Sequence, residues 1–311
     1  MTESIINLVE EYDKIIIFRH LEGDGDALGS QWGLYYFLKD KYPHKEIYAV
    51  GDETKGYAGV YPEPHDLSEG QYKGALAMIV DTANQERISG KFYVHTDKII
   101  KIDHHLPVDN YGVINLVDEK RSSCAEIVTE LLKAWSNDQA LVYEAAYNLY
   151  SGIASDTQGF SISSVNSKTF MMAAYLMESE INPSEISQKL RQVDLQVFKF
   201  QAYATSKITY VSDSFAYLEI SQADLSEYNL DVQEVKFLVN VMRPIKGLKV
   251  WGLFIEVEPE LYSGSLRSHG ININAIASLY GGGGHLQASG VKNLTPVSKA
   301  DIINDLLAVS K

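Results

Sequence analysis

Thiols are almost missing from this chain. Of 311 residues only Cys124 is a cysteine, which excludes an internal disulfide and any thiolate-rich zinc or iron–sulfur site. Its place near a helix start reads as a small, partly buried residue. Positive charge is also short: 27 Lys and Arg stand against 41 Asp and Glu, a formal net charge of −14. Proteins that coat long nucleic acid neutralise phosphates with Lys and Arg, so the balance argues against that class. It leaves room for a small phosphorylated ligand held by local groups. No uninterrupted apolar stretch reaches bilayer length, and the polar, acidic N-terminus does not read as a signal peptide. A membrane is not expected as a partner, and the cytoplasm is the expected location. Internal repeats and low-complexity segments are missing too.

What is present is ordinary globular material, 45% hydrophobic and 22% charged, long enough for two domains or one large one. The first half alternates strand-like and helix-like segments. Residues 14–18, 45–50, 75–80, 98–102 and 113–116 read as strands. Residues 26–39 carry Leu28, Trp32, Tyr35, Tyr36 and Leu38 at helical spacing, and 122–135, 139–151 and 167–178 read as helices. Within 122–135, Ser122-Ser123 with Glu126 reads as an N-terminal cap. This alternation predicts an α/β fold with a doubly wound parallel sheet. Pro183 after Asn182 predicts a fresh helix start, and 193–206 reads as a connecting helix. Beyond it, 207–221 and 246–267 are rich in β-branched and aromatic residues. The expected plan is therefore a catalytic domain over 1–185, a helical linker over 186–206 and a smaller mixed α/β domain over 207–311, with a cleft between the domains.

Six oxygen or nitrogen metal donors are spread through the first half, each at or just after an apolar run: His20, Asp24, Asp26, Asp81, His104 and Asp156. Strand ends of a parallel sheet converge on one edge, where ligands bind, so these residues can meet. Taken singly, each has a plainer reading. Asp24 and Asp26 among Gly23, Gly25 and Gly29 form an acidic turn that also suits a helix cap. Asp81-Thr82-Ala83 and Ser155-Asp156-Thr157 also read as turns, and Asp103-His104-His105 as a surface pair of histidines. In the second half, Ser265-Leu266-Arg267-Ser268 precedes four successive glycines, Gly281 to Gly284, and His285. Glycine N–H groups can cradle an anion, and Arg suits bidentate phosphate binding. A flexible loop is the plainer reading.

The joint pattern is far more specific than its members. His20 with Asp24 and Asp26, then Asp-Thr-Ala, Asp-His-His, Asp-Thr and finally Gly-Gly-Gly-Gly-His together resemble the DHH phosphoesterase superfamily with its DHH-associated C-terminal domain. The resemblance spans essentially the whole chain. It is strongest to the bacterial nano-RNase and phosphoadenosine-phosphate phosphatase group, notably over 265–290 with Ile271-Asn272-Ile273-Asn274-Ala275-Ile276-Ala277.

The resemblance implies two divalent ions, Mn²⁺ first, with Mg²⁺ or Co²⁺ as alternatives. His20 and Asp24 would hold one ion, Asp26, His104 and Asp156 the other, and Asp81 would bridge them. Asp103 would orient a neighbouring histidine, and His105 would face substrate phosphate. Arg267, Ser268, Gly282, Gly283, Gly284 and His285 would bind substrate from the second domain. Thiolate-free imidazole and carboxylate donors suit such ions, and an ion pair can activate water and stabilise both oxygens of an in-line displacement.

The implied activity is hydrolysis of short oligonucleotides or linear dinucleotides such as pApA, from cyclic-di-AMP turnover, to nucleoside 5′-monophosphates. A related activity would remove the 3′-phosphate of phosphoadenosine phosphate. Two other classes share features: a related metal-dependent inorganic pyrophosphatase, against which the 281–285 run argues, and a non-catalytic nucleotide-binding regulatory module, expected to have lost a ligand. Departures from the family pattern are Gly23 and Leu106 where proline is frequent, and Asp156-Thr157-Gln158-Gly159-Phe160 in place of Asp-Thr-Gly. They bear on loop shape and substrate preference. The oligomeric state, a homodimer included, is left open.

Overall fold

The computed structural model describes residues 1–53, 57 and 59–311. The chain divides into two compact units, Met1–Gln192 and Val193–Lys311. The first is built on five strands, β1 (Lys14–Phe18), β2 (Glu46–Ala49), β3 (Leu76–Val80), β4 (Lys98–Asp103) and β5 (Ile114–Val117). All pair in parallel, in the order β2-β1-β3-β4-β5. β1 thus lies between β2 and β3, where the winding reverses and a parallel sheet opens a crevice at its strand ends.

Alternating strand residues feed two cores, as the pleat dictates. Ile15, Ile17, Leu76, Met78, Ile100 and Ile102 face the helical side. That side is formed by α1 (Thr2–Glu11), α2 (Gly25–Lys41), α3 (Cys124–Trp135), α4 (Tyr143–Asp156), α5 (Ser167–Met177) and α6 (Pro183–Arg191). Ile16, Phe18, Ala77 and Ile79 face the other side, covered by loops and short 3₁₀ turns through Leu67, Tyr72 and Ile88.

The helix expected over 139–151 begins later, at Tyr143, since the chain is still extended at its N-cap Val142 (ψ 147°). It also runs further. Asp156, expected in a turn, is its last residue.

α2 and α4 cross at very close range. A Cβ on Gly29 would lie 2.5 Å from the Asn148 carbonyl oxygen and 2.6 Å from Gly152 Cα; one on Gly33 would meet Leu149, and one on Gly25 would meet Ser155. These glycines recur every four residues and so share one face of α2. Their partners run backwards along α4, so the helices are antiparallel and the start of α2 meets the end of α4.

The second unit comprises α7 (Leu195–Ser206), β6 (Thr209–Ser212), β7 (Phe215–Ile220), α8 (Gln222–Glu227), α9 (Val232–Val235), β8 (Val250–Glu258), β9 (Leu261–Ser268), α10 (Asn274–Leu279), β10 (Gly283–His285), β11 (Ala288–Leu294) and α11 (Pro296–Ser310). Its sheet runs β10-β11-β9-β8-β7-β6 and is mixed, with only β7 and β8 parallel. Each face has its own apolar core, one around Phe200, Leu218 and Trp251, the other around Phe254, Leu266 and Ile302. The stretch 186–206, expected as a linker, is shared out. Ile186 of α6 is buried in the first unit's core, Phe200 and Ala204 of α7 in the second's. Among the described residues no helix is long and apolar enough to cross a membrane.

Candidate metal centre and substrate residues

The six expected donors converge at the C-terminal edge of the parallel sheet. Their atoms form two groups, His20 with Asp24 and Asp81, and Asp26 with His104 and Asp156; within each, the donor atoms lie within 4.8 Å of one another. His20 follows β1. Its Nδ1 meets the Leu21 carbonyl oxygen at 2.8 Å, and its Nε2 faces Asp24 Oδ1 at 3.7 Å and Asp81 Oδ2 at 3.4 Å. Asp24 caps α2, accepting from the N–H groups of Asp26 and Ala27 at 3.1 Å each. The capping reading and the ligand reading of Asp24 are thus compatible, since capping occupies Oδ1 through N–H donors only.

Asp26 is buried and held from the far side. Its two oxygens accept from the N–H groups of Cys124 and Ala125 at 2.6 and 2.8 Å. These are orphan donors of the α3 N-terminus, where the helix dipole favours a carboxylate. Asp81 follows β3 in left-handed backbone (φ 50°) and is almost fully buried. Such a conformation costs of order 1 kcal/mol or more in a non-glycine residue, and here it turns the carboxylate between the two groups. His104 follows β4. Its Nε2 lies 3.4 Å from Asp81 Oδ1, 3.6 Å from Asp26 Oδ2 and 3.8 Å from Asp156 Oδ2. Its Nδ1 faces the Arg121 carbonyl oxygen at 3.4 Å. Asp156 arrives from the end of α4 by the close α2–α4 crossing.

The charges in this cluster are mutually strained. Burial, reinforced by the charge of Asp81, pushes the Asp26 carboxyl well above the usual range. Burial, with Asp24 and Asp81 nearby, raises Asp156 to about 6 against the pull of His104. Burial works against charge on His20, but Asp24 and Asp81 outweigh it and carry the ring up to about 10. Asp81 goes the other way: His104 and His20 overcome its burial and hold it well below the usual range. Asp81 Oδ1 is nonetheless buried with no donor in hydrogen-bonding geometry. His104 Nε2 faces it at 3.4 Å, outside hydrogen-bonding geometry, and a buried carboxylate oxygen left without a hydrogen bond amid further carboxylates is costly unless a cation satisfies it. The donor set, all oxygen and imidazole, fits hard or borderline divalent ions.

Residues 14–153 match the DHH family N-terminal domain, and 212–308 match the DHHA1 domain. A Streptococcus mutans protein named "probable bifunctional oligoribonuclease and PAP phosphatase NrnA" is 34% identical over 98% of this chain and 97% of its own length. A Bacillus subtilis protein named bifunctional oligoribonuclease and PAP phosphatase NrnA is 33% identical over 100% of this chain and 99% of its own. The chain belongs to the DHH family. A solved Bacteroides fragilis structure, described as an exopolyphosphatase-related protein, shares the fold with a TM-score of 0.88 at 23% identity, covering 99% of this chain and 95% of that one. DHH phosphoesterases are metal dependent, and this chain carries acidic and histidine groups that could hold a metal ion.

The motif that names the family has an internal division of labour. Asp103, fully buried, accepts at Oδ1 from the His105 N–H at 3.2 Å and pairs with His105 Nδ1 at 2.8 Å. Asp103 therefore orients His105, which is partly exposed.

Several supporting residues carry no motif and escaped the sequence reading. Arg19 is fully buried; it donates to the His20 carbonyl oxygen at 3.2 Å and to Asp52 Oδ1 at 3.0 Å. Asp52 Oδ2 in turn accepts from the Glu22 N–H at 2.9 Å. This braces the loop between His20 and Asp24. Tyr61 donates to the Gly25 carbonyl oxygen at 3.0 Å. Cys124, read as a structural residue, matters through its backbone N–H; its side chain is buried and its thiol pushed well up by burial beside Asp81 and Asp26. A charged residue directly after an apolar strand was the available signal for Arg19.

In the DHHA1 domain, Arg267 of β9 stands opposite Ala288 of β11, and Ala288 opposite His285 of β10. Arg267 and His285 therefore lie in one cross-strand row and on one face. Ser268 is different. It is 6% exposed, and its hydroxyl donates to the Ile271 carbonyl oxygen at 2.5 Å, so it shapes the loop after β9. The glycine run is also divided. The N–H groups of Gly281 and Gly282 bond to Ser278 and Ala277 carbonyl oxygens, closing α10. Gly283 and Gly284 form the edge strand β10 with His285. The expected four-glycine cradle is thus half committed to a helix cap, because a chain leaving a helix must satisfy its last carbonyls.

Proposed function

We propose that this protein hydrolyses short oligonucleotides and linear dinucleotides such as pApA to nucleoside 5′-monophosphates, and removes the 3′-phosphate of phosphoadenosine phosphate. The observation that carries the reading is the convergence of all six donors into two adjoining groups around Asp81. Full-length similarity to proteins named bifunctional oligoribonuclease and PAP phosphatase supports the substrate class. In this reading His20 and Asp24 serve one ion, Asp26, His104 and Asp156 the other, and Asp81 both; Mn²⁺ is the ion we expect. Such ions supply Lewis acidity and a reactive water at neutral pH.

The chain's own groups do the rest. The α3 N-terminus holds the Asp26 carboxylate in place, and Asp103 fixes the ring of His105, which contacts a substrate phosphate. Arg267 offers a planar, permanently charged fork to a second phosphate, with His285 in the same row. Gly283 leaves that surface open, while Gly282 and Gly284 let the chain lie close against the backbone of Gly290 and Ala288. Ser268 acts by holding the loop that follows Arg267.

The test is a panel of pApA, short 5′-phosphorylated RNA, phosphoadenosine phosphate and pyrophosphate, each with Mn²⁺ and again after chelation. We expect chelator-sensitive release of 5′-monophosphates from the first two, phosphate release from the third, and no turnover of pyrophosphate. Inactivity on all three nucleotides, or activity confined to pyrophosphate, overturns the reading.

A further inference from the structure

Lys101 is a cation inside the apolar run Ile99-Ile100-Lys101-Ile102, and it is fully buried. A buried ammonium needs an acceptor for each of its three N–H groups. Lys101 Nζ donates to two of them, the Ala83 carbonyl oxygen at 2.7 Å and the Asp109 carbonyl oxygen at 2.9 Å, and it faces Asp103 Oδ2 as an ion-pair partner at 3.3 Å. The ring of Tyr111 lies 4.9 Å from it, and the Tyr111 hydroxyl donates to the Thr82 carbonyl oxygen at 2.8 Å.

The partners are not scattered. Ala83 ends the Asp-Thr-Ala motif after β3. Asp109 belongs to the loop after the two histidines. Asp103 has its other oxygen on His105. One ammonium therefore joins both motif loops and the carboxylate that aims a histidine. We propose that Lys101 is a positioning residue for His105. It fixes Asp103 in the rotamer that holds the imidazole, and it pins the loops on either side. This rests on the reading of His105 as a phosphate contact. Lys101 touches none of the six metal donors in this arrangement, so its loss should leave ion binding in place.

The experiment is a double-mutant cycle on pApA hydrolysis with Mn²⁺, combined with calorimetric Mn²⁺ binding and side-chain ¹H–¹⁵N spectra of histidine. Lys101→Met keeps side-chain bulk. Loss of such an outer partner typically costs about 10–100-fold, and we expect that fall in kcat/KM, mostly through KM, with Mn²⁺ stoichiometry unchanged. In a His105→Ala background the same change should cost less than about threefold, because coupled residues are non-additive. The His105 Nδ1–H signal should shift or broaden in Lys101→Met, a readout that survives even if the substrate reading fails. Because Lys101→Met strands a buried carboxylate, Asp103→Asn/Lys101→Met is the control for folding and should behave as Asp103→Asn alone. Additive losses in the cycle, an unmoved His105 signal, or loss of Mn²⁺ binding in the folded variants would each overturn the proposal.

Discussion

The candidate residues of the two units are placed in different ways. In the first, Gly25, Gly29 and Gly33 vanish into a helix crossing, and the acidic residues stand at strand and helix ends. In the second, Gly283 meets nothing within 4 Å of a would-be Cβ, and the functional candidates Arg267 and His285 sit in a cross-strand row. The contrast follows from sheet type. A parallel sheet sends every strand end to one edge, so residues just after strands meet whatever their spacing. In a mixed sheet, neighbours depend on register, and a one-residue slip moves a side chain to the other face. The first site is therefore robust to loop length, while the second depends on the pairing of β10, β11 and β9.

The largest test of that contrast is at the donors. Asp81→Ala or His104→Ala should reduce kcat by more than the ~100-fold typical of outer-shell changes while circular dichroism stays native. Near-normal turnover in either would disprove the ligand assignment. Arg267→Ala comes next. A lost charge-assisted hydrogen bond is worth about 1.5–3 kcal/mol, so KM should rise about tenfold to a hundredfold with unchanged Mn²⁺ stoichiometry; an unmoved KM would remove Arg267 from substrate binding.

The pH dependence separates the units further. In the metal-free cluster His20 keeps its proton up to about 10, and metal needs the neutral ring, so loading must expel a proton. Apparent Mn²⁺ affinity should therefore rise between pH 6 and 9, by about tenfold per unit for each proton displaced. His104 and Asp26, both raised well above their usual ranges, add to that slope; Asp81, held low, adds none, and Asp156, near 6, adds to it only around and below that pH. Calorimetry in buffers of different ionisation enthalpy checks the proton count, and a flat profile would contradict it.

Glycine supplies the smallest pair of effects. Gly29→Ala should destabilise by ~1–3 kcal/mol, as overpacking does, and loosen ion binding by parting Asp26 from Asp156. Gly283→Ala should change stability by less than about 0.5 kcal/mol, as open surface sites do. Equal melting temperatures for the two variants would erase the distinction.

Much of the site was legible because its chemistry sits beside regular elements. Ile-rich runs announced the strands, and His20, Asp81 and His104 followed them directly. Asp156 was harder, since it ends a helix that was expected to stop at residue 151. The glycine run was read as an anion cradle by type and Ser268 as a substrate residue through the family resemblance, and hydrogen bonds to Ile271, Ala277 and Ser278 commit parts of both to structure. Lys101 lay in plain view as a charge in an apolar strand and Arg19 as one directly after another, but their acceptors come from loops up to 33 residues away.

By itself, the sequence determined which donors this protein carries, that they follow strands, and that no thiolate joins them. Those are local properties, set by residue type and short-range periodicity. Only the tertiary structure decided that Asp26 rests on the α3 N-terminus, that Asp156 reaches it through a glycine-lined crossing of α2 and α4, and that Lys101 stands behind Asp103. Each of these joins segments distant in the chain, and such contacts are chosen by packing and hydrogen-bond satisfaction over the whole fold.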